Sequence, residues 1–328
     1  MKLFFAICVV GIHANVTGLD VSPYGVNYVV NLAVPFFFAV SGFLMAGKTH
    51  DMPDGGLSYY QKSFRRNLRL YVLYLVIYLP LAFVHYFVKH PEFGCLGSLL
   101  RYVHGIIIAG ETPCAWPLWY LYALVLGTGT VMLAVRRRIS IVRLWVVSSV
   151  VFVVLYHVQC NGIAHVCEPE QMKGFFCLFV PMRYFRGLML LTTGLVLGNT
   201  VRSGKTGLMG IALLAVSVGF YALSVTTGID TAFWFWAGGA AMLLIALNRP
   251  ASKEKRECFL KMRTLSTICY FFHMYFIVIL RELDNHWHFN LSPYGLWVAA
   301  TVGVLVFGFI FDAARKHKRL QWLNHCLQ

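Results

Sequence analysis

The chain has 328 residues, of which 59% are hydrophobic and only 12% are charged, and its mean hydropathy is +0.67. Soluble domains carry about 25% charged residues, so this composition excludes a soluble enzyme and predicts an all-α polytopic membrane protein. The net charge of +15 would favour a nucleic-acid partner in a soluble protein. Here the basic residues fall in short clusters between apolar runs, so we expect a lipid bilayer and no nucleic acid around the chain.

Ten apolar segments can be recognised, each close to the roughly 20 residues that a helix needs to span a bilayer. In chain order they occupy residues 3–18, 26–47, 70–89, 115–135, 144–158, 175–199, 207–225, 231–248, 264–282 and 293–313. No polar stretch between them is long enough for a soluble domain. We therefore expect a single integral-membrane domain over residues 1–328.

The connections between these segments alternate in charge. The strongly basic set consists of 48–69, 136–143, 200–206, 249–263 and the tail after 313. The opposite set holds only Lys89, Arg101, Lys173 and Arg281. Because cytoplasmic loops carry the excess of Lys and Arg, we predict about ten transmembrane helices with both termini in the cytoplasm. A signal peptide ending after Ala14 is the alternative interpretation of the first segment, but no convincing small-x-small cleavage site follows.

The connection at 90–114 is the longest on the outer face. Its apolar stretch Ser98–Gly110 is too short to span a bilayer and predicts an interfacial or re-entrant segment. Such a segment could roof an outward-facing cavity or anchor the chain at the membrane surface. Both alternatives fit the sequence.

The nine cysteines show no metal-ligand spacing, so we expect no metal site. Cys160 and Cys167 share one short outer loop. Disulfides can persist on that side of the membrane, so these two residues could pair or remain free thiols.

His13 is the most informative single residue, because ionisable side chains within a membrane are costly and usually functional. It lies inside the first apolar segment, eleven residues after Lys2. At about 100° and 1.5 Å per residue, the two share one helix face and lie roughly 16 Å apart. A single intramembrane histidine can also be a hydrogen-bonded packing residue. The shared face with a cation at the membrane surface favours chemistry on an anionic cytoplasmic substrate.

Four arginines and a second histidine are the other candidates. Arg66 and Arg69 share a face at the inner end of the third segment, where they could bind phosphate or serve as topology signals beside lipid headgroups. Arg183 and Arg186 lie inside the sixth segment, and we expect them to face a cavity or a partner unless they extend to the outer surface. His273 lies within the ninth segment and has the same two interpretations as His13.

Taken in order, these residues resemble the membrane acyltransferase-3 family. Lys2-x10-His13 is similar to that family's Arg/Lys-x10-His motif in helix one, although Arg is commoner there. Arg66-x-x-Arg69 followed by Leu70-Tyr71 resembles its basic motif at the start of helix three. Further resemblances are VPFFFAVSGFLM at 34–45, Trp119–Leu124, Arg186-Gly187, Gly194-x-x-x-Gly198 and Tyr270-x-x-His273. The matching motifs extend from residue 2 to about residue 275.

The resemblance implies a multi-pass enzyme of the bacterial inner membrane. It would transfer an acyl group, most often acetyl in this family, from cytoplasmic acyl-CoA to a hydroxyl of a cell-surface or exported glycan or of a lipid-linked sugar. Acyl-CoA would be a substrate, and no permanently bound cofactor is expected. No esterase-like domain is fused within the 328 residues, so we expect transfer to be completed in the membrane domain or by another protein.

The resemblance also implies roles for the candidate residues. His13 would be the general base or the acyl-carrying nucleophile, and Lys2 would help to position the donor. Arg66 and Arg69 would hold the CoA phosphates. The acceptor side would be lined by Arg183, Arg186 and His273. The alternative is a transporter that moves a glycan or anion without chemistry, although the sequence shows no inverted repeat.

Overall fold

A computed structural model describes residues 1–18, 24–161, 180–201, 206–227, 233–247 and 256–317. Over these ranges the chain is helical and contains no β-strand, which confirms the predicted fold class. The interpretation of Cys160 and Cys167 as a pair concerns side chains that lie outside the described part of the chain.

Twelve α-helices, numbered in chain order, occupy most of the described residues. They are α1 (Lys2–His13), α2 (Tyr24–Asn31), α3 (Ala33–Thr49), α4 (Leu57–Phe83), α5 (Gly94–His104), α6 (Leu118–Arg136), α7 (Ile141–Asn161), α8 (Pro181–Thr200), α9 (Thr206–Thr227), α10 (Phe233–Leu247), α11 (Arg256–Trp287) and α12 (Pro293–Ala314). Two π-helical turns, Val84–Lys89 and Gly105–Ala109, continue α4 and α5 respectively.

Eight helical stretches are long and apolar enough to cross a membrane. They are Tyr24–Thr49, Leu57–Lys89, Pro91–Ala109, Leu118–Arg136, Ile141–Gln159, Thr206–Thr227, Glu257–Trp287 and Pro293–Ala314. The helices α1 and α10 are apolar but shorter, and α8 carries two arginines in its first turns. The protein is therefore a multi-pass membrane protein, and the count of ten spans and their orientation stay predictions.

The stretch Pro91–Ala109 is the main departure from the predicted elements. It has 19 residues, so the prediction that this region is too short to span was wrong about its length. It runs back along α4, since the Tyr71 hydroxyl donates to the Ile106 carbonyl at 2.7 Å. The following loop ends at Pro117, whose carbonyl accepts from Tyr270 in the middle of α11 at 3.3 Å. The polypeptide thus turns back beside the middle of α11. We refer to Pro91–Ala109 as the re-entrant segment, and its placement relative to the bilayer stays a prediction.

The helices α3 and α8 cross closely because glycines face each other's backbone. A Cβ atom at Gly42 would overlap the carbonyl oxygen of Leu191, and one at Gly194 would overlap that of Ala39. In membranes, where helix association relies on close packing, small residues at such crossings bring two backbones together. This contact fixes α3, and with it one wall of the cavity described below.

We expect Gly42→Ala to destabilise the folded protein by about 1–3 kcal/mol, because the added methyl group forces α3 and α8 apart. Gly47→Ala is the matched control, since it lies on the same helix and its Cβ would meet nothing within 4 Å. The measurement is thermal unfolding of both variants in the same detergent. Equal melting temperatures for the two variants would contradict the close crossing.

Candidate active site

A cavity of about 1070 Å³ is lined by residues of α1, α3, α4, α6 and α11. Among the residues that the structure describes, six cationic side chains and no carboxylate line it. They are Lys2, Lys62, Arg65, Arg66, Arg69 and Arg263. Among the described residues, none of the six lies within 4.0 Å of a carboxylate oxygen. We call this space the cationic cavity, and its uncompensated charge suits a ligand with several negative charges.

Three residues singled out from the sequence meet in this cavity. Lys2 begins α1, whereas Arg66 and Arg69 lie on the third and fourth turns of α4, and all three line the same space. Arg66 and Arg69 are both exposed, as expected for residues that surround the mouth of a cavity. Their spacing allows bidentate contacts with phosphate oxygens.

Arg263 belongs to the same group, although in the sequence it is only one of the basic residues of the 249–263 connection. It precedes His273 on α11 by ten residues, much as Lys2 precedes His13 on α1 by eleven. The helices α1 and α11 lie side by side and run in the same direction. Lys2 therefore lines the same cavity as Arg263, and His13 contacts His273. A cation about ten residues before an intramembrane histidine is the signal that could have identified Arg263.

Two tyrosines separate the cationic cavity from the histidines. Tyr120 and Tyr270 both line the cavity, and their ring centroids are 5.4 Å apart. Ser41 bonds the Tyr120 hydroxyl at 3.0 Å, and Phe37 packs edge-on against Tyr270 at 5.6 Å. We refer to Tyr120 and Tyr270 as the tyrosine layer. It forms the deep end of the cavity.

The two intramembrane histidines are in direct contact beyond this layer. The rings of His13 and His273 stack with centroids 5.2 Å apart and an interplanar angle of 25°. His13 also stacks on Trp116, with centroids 5.6 Å apart. Trp116 lies in the loop that follows the re-entrant segment, and no spacing in the sequence indicated this contact. We refer to His13 and His273 as the histidine pair.

The hydrogen bonds of His273 define its tautomer. Its Nδ1 lies 3.0 Å from the Cys269 carbonyl oxygen, which can only accept, so Nδ1 carries the proton and Nε2 has a free lone pair. The side chain is fully buried, and Nε2 has no hydrogen-bond partner among the described residues. A buried basic nitrogen without a partner is unusual in folded proteins and is available to accept a proton.

Backbone contacts fix His13 at the end of α1. The carbonyl groups of a helix's last turn lack partners within the helix, and Arg281 of α11 donates to the His13 carbonyl at 3.1 Å. One turn and a half earlier, Trp297 of α12 donates to the Ile7 carbonyl at 2.8 Å. These bonds attach α1 to α11 and α12 and hold the His13 ring against His273.

Arg183 and Arg186 lie at the start of α8, away from the cationic cavity. Arg183 forms an ion pair with Glu111 at 2.7 Å and donates to the Ala109 carbonyl at 3.1 Å. It therefore holds the end of the re-entrant segment, a few residues before Trp116. The Arg186 guanidinium carbon lies 4.4 Å above the ring centroid of Phe235, a cation–π contact. Neither arginine lines the cationic cavity.

The fold and this site define an integral-membrane protein whose cationic cavity suits a polyanion and whose buried histidine pair can accept a proton. A family model described as an acyltransferase domain matches residues 1–313, and the chain belongs to the acyltransferase-3 family. The protein is thus a membrane acyltransferase, which favours the enzyme over the transporter alternative. Searches of curated proteins and of solved structures gave no match to this chain.

Proposed function

We propose that this enzyme transfers an acyl group, acetyl in the first instance, from cytoplasmic acyl-CoA to a hydroxyl of a cell-surface or exported glycan or of its lipid-linked precursor. The observation that carries the proposal is the cationic cavity, with six cations and no carboxylate among its lining residues. CoA presents a 3′-phosphate and a diphosphate, which match this charge. The proposed setting is the bacterial inner membrane, with both termini in the cytoplasm.

The distribution of charge along the helices supports this orientation. The cationic cavity lies towards the N-terminal ends of α4 and α11, where Arg66 and Arg263 line it. Lys89 and Glu282 pair with each other at the opposite end of these helices. An excess of basic residues marks the cytoplasmic side. The donor site would then open to the cytoplasm, where acyl-CoA is available.

In the proposed reaction the histidine pair handles the proton of the acceptor hydroxyl. His13 takes that proton while the hydroxyl oxygen attacks the thioester carbonyl carbon, and the carbon–sulfur bond then breaks to release CoA. The proton returns to the departing sulfur, so the products are the ester and free CoA thiol. His273 would share the transferred proton or hold an acceptor hydroxyl through Nε2. In a covalent variant, His13 attacks the thioester first and passes the acyl group to the sugar.

The packing beyond the tyrosine layer supports a short acyl group. Ala115 and Leu118, on either side of the segment that bears Trp116, are fully buried. Interiors of this density accommodate few added methylene groups without strain. An acetyl group adds the least volume of any acyl group that carries a carbon chain.

We expect Arg66→Ala and Arg69→Ala to raise the Michaelis constant for acyl-CoA about ten-fold each, because each removes a charge-assisted contact worth roughly 1.5–3 kcal/mol. The constant for the acceptor should change much less. Lysine at either position should rescue only part of the loss, since it lacks the bidentate fork. The measurement is steady-state kinetics with the donor varied.

Arg137→Ala is the matched control, because Arg137 is exposed at the same end of the molecule but does not line the cavity. Unchanged donor constants in correctly inserted Arg66 and Arg69 variants would show that these residues are only topology signals. For the acceptor, mass spectrometry of envelope glycans from cells with and without the protein tests the proposal. Identical glycan acylation in the two strains would exclude a glycan acceptor.

A further inference from the structure

Two neutral residues of α4 line the cationic cavity, and each has a buried hydrogen-bonding atom with almost no accessible surface. Ser63 and Asn67 are 4% and 3% exposed, and both line the cavity. Ser63 Oγ and Asn67 Nδ2 have no hydrogen-bond partner among the described residues. Since they are four residues apart, they lie on one face of the helix, on adjacent turns.

Neighbouring polar groups in the same region are satisfied. Thr49 bonds the Met45 carbonyl at 3.1 Å and lies 3.3 Å from the Tyr60 hydroxyl, and Ser41 bonds the Phe37 carbonyl at 2.8 Å. Buried polar atoms in folded proteins nearly always have a partner. Two unpartnered donors on residues that line one cavity therefore suit a ligand that they meet after a small side-chain rotation.

The surrounding charge indicates the chemistry of that ligand. A hydroxyl and an amide NH₂ can both donate hydrogen bonds, and Asn67 directly follows Arg66 in a cavity whose lining includes no carboxylate. A ligand with negatively charged oxygens satisfies both kinds of group at once. Phosphate oxygens accept several hydrogen bonds and are the anionic groups of the proposed donor.

We propose that Ser63 and Asn67 form a neutral phosphate-binding subsite of the acyl donor, in which Ser63 Oγ–H and Asn67 Nδ2–H donate to phosphate oxygens beside Arg66. This inference rests on the proposed function, because it takes the donor to be acyl-CoA. The arginines attract the polyanion from solution, and the two neutral donors fix its position. A phospholipid headgroup offers the same chemistry, so the experiment separates the two sources of phosphate.

The test is equilibrium binding of CoA to the purified full-length protein in nanodiscs of zwitterionic lipid. We expect Asn67→Leu and Ser63→Ala each to raise the CoA dissociation constant, by about ten-fold for Asn67→Leu and several-fold for Ser63→Ala. Ser148→Ala is the matched control. Ser148 is equally buried but lies on α7 and already bonds the Trp145 carbonyl. Its dissociation constant should equal that of the wild type.

The ligand-free proteins supply a second readout. Asn67→Leu removes a buried donor that has no partner, so we expect the ligand-free melting temperature to stay the same or rise. A purely structural role for Asn67 would lower it. Ser63→Thr keeps the hydroxyl and should retain most of the CoA affinity that Ser63→Ala loses.

The outcomes separate this inference from the proposed function. If wild-type protein binds CoA and both variants bind it equally well, the subsite is excluded while the arginine site stands. If wild-type protein binds no CoA, the proposed donor itself is wrong. If the variants keep wild-type CoA affinity but lose a stabilisation that phosphatidylglycerol gives the wild type, the two residues bind a lipid headgroup and the inference is overturned.

Discussion

His13→Ala is expected to abolish acyl transfer while the protein still inserts and folds. The side chain stacks on His273 and Trp116, and its backbone is held by Arg281, so truncation removes the reactive group and leaves the helix attached. Loss of a general base lowers the rate by about 10²–10⁴-fold, and loss of an acyl-carrying nucleophile should cost at least as much. The measurement is transfer of labelled acyl groups from acyl-CoA by purified protein. The exposed His286, changed to Ala, provides the control.

The two possible roles of His13 can be separated by omitting the acceptor. Purified protein incubated with labelled acyl-CoA alone should gain a labile acyl group on His13 if catalysis is covalent. Direct transfer would leave His13 unlabelled and still require it for turnover. Near-normal activity of His13→Asn, a nearly isosteric change, would mean that His13 is only a packed residue.

His273→Phe should reduce turnover by about 10²-fold, at the lower end of what loss of an acid–base group costs. Phenylalanine keeps a ring that can stack on His13, and it removes the buried Nε2 lone pair. It also removes the bond from Nδ1 to the Cys269 carbonyl, so folding must be checked by thermal unfolding. The expected signature is a lower turnover number with a Michaelis constant for acyl-CoA close to that of the wild type.

This pattern distinguishes proton handling from packing. If Nε2 serves the reaction, the pH–rate profile of the wild type should lose one ionisation in His273→Phe. A variant that keeps the wild-type profile and most of its turnover would assign His273 to structure alone. Phe272→Leu controls for loss of packing near the site, because Phe272 is on the same turn of α11 but packs against Phe307.

Hydropathy predicted most of the helices, because a bilayer requires every spanning segment to satisfy its own backbone and to present apolar side chains. The predicted helix ends are wrong where local backbone geometry, and not hydropathy, determines where a helix begins or ends. The first segment was predicted to extend to residue 18, but α1 ends at His13, and Asn15 adopts a left-handed conformation with φ of 67°. The length of the re-entrant stretch was underestimated because its first turns, from Pro91, contain Glu92 and two glycines, which are typical of a loop.

The site was predicted only in part. Spacing along one helix placed Lys2 and His13 on one face and Arg66 beside Arg69, since helix geometry is local. It could not show that α1 lies beside α11, which brings His13 onto His273, because that contact joins residues 260 positions apart in the chain. For the same reason the motifs that contain Tyr120 and Tyr270 did not show that the two rings meet, and no motif indicated the unpartnered donors of Ser63 and Asn67.

The tyrosine layer has a consequence for the cell's energy supply. A catalyst that binds its donor on one side of a membrane and its acceptor on the other needs a path between them, and an open path would let protons flow down the proton-motive force. Tyr120 and Tyr270 close the deep end of the cavity with aromatic rings, and the stacked rings of His13, His273 and Trp116 lie behind them. If donor and acceptor lie on opposite sides, these rings must move aside for the acyl group to pass, and we expect the resting enzyme to conduct no protons.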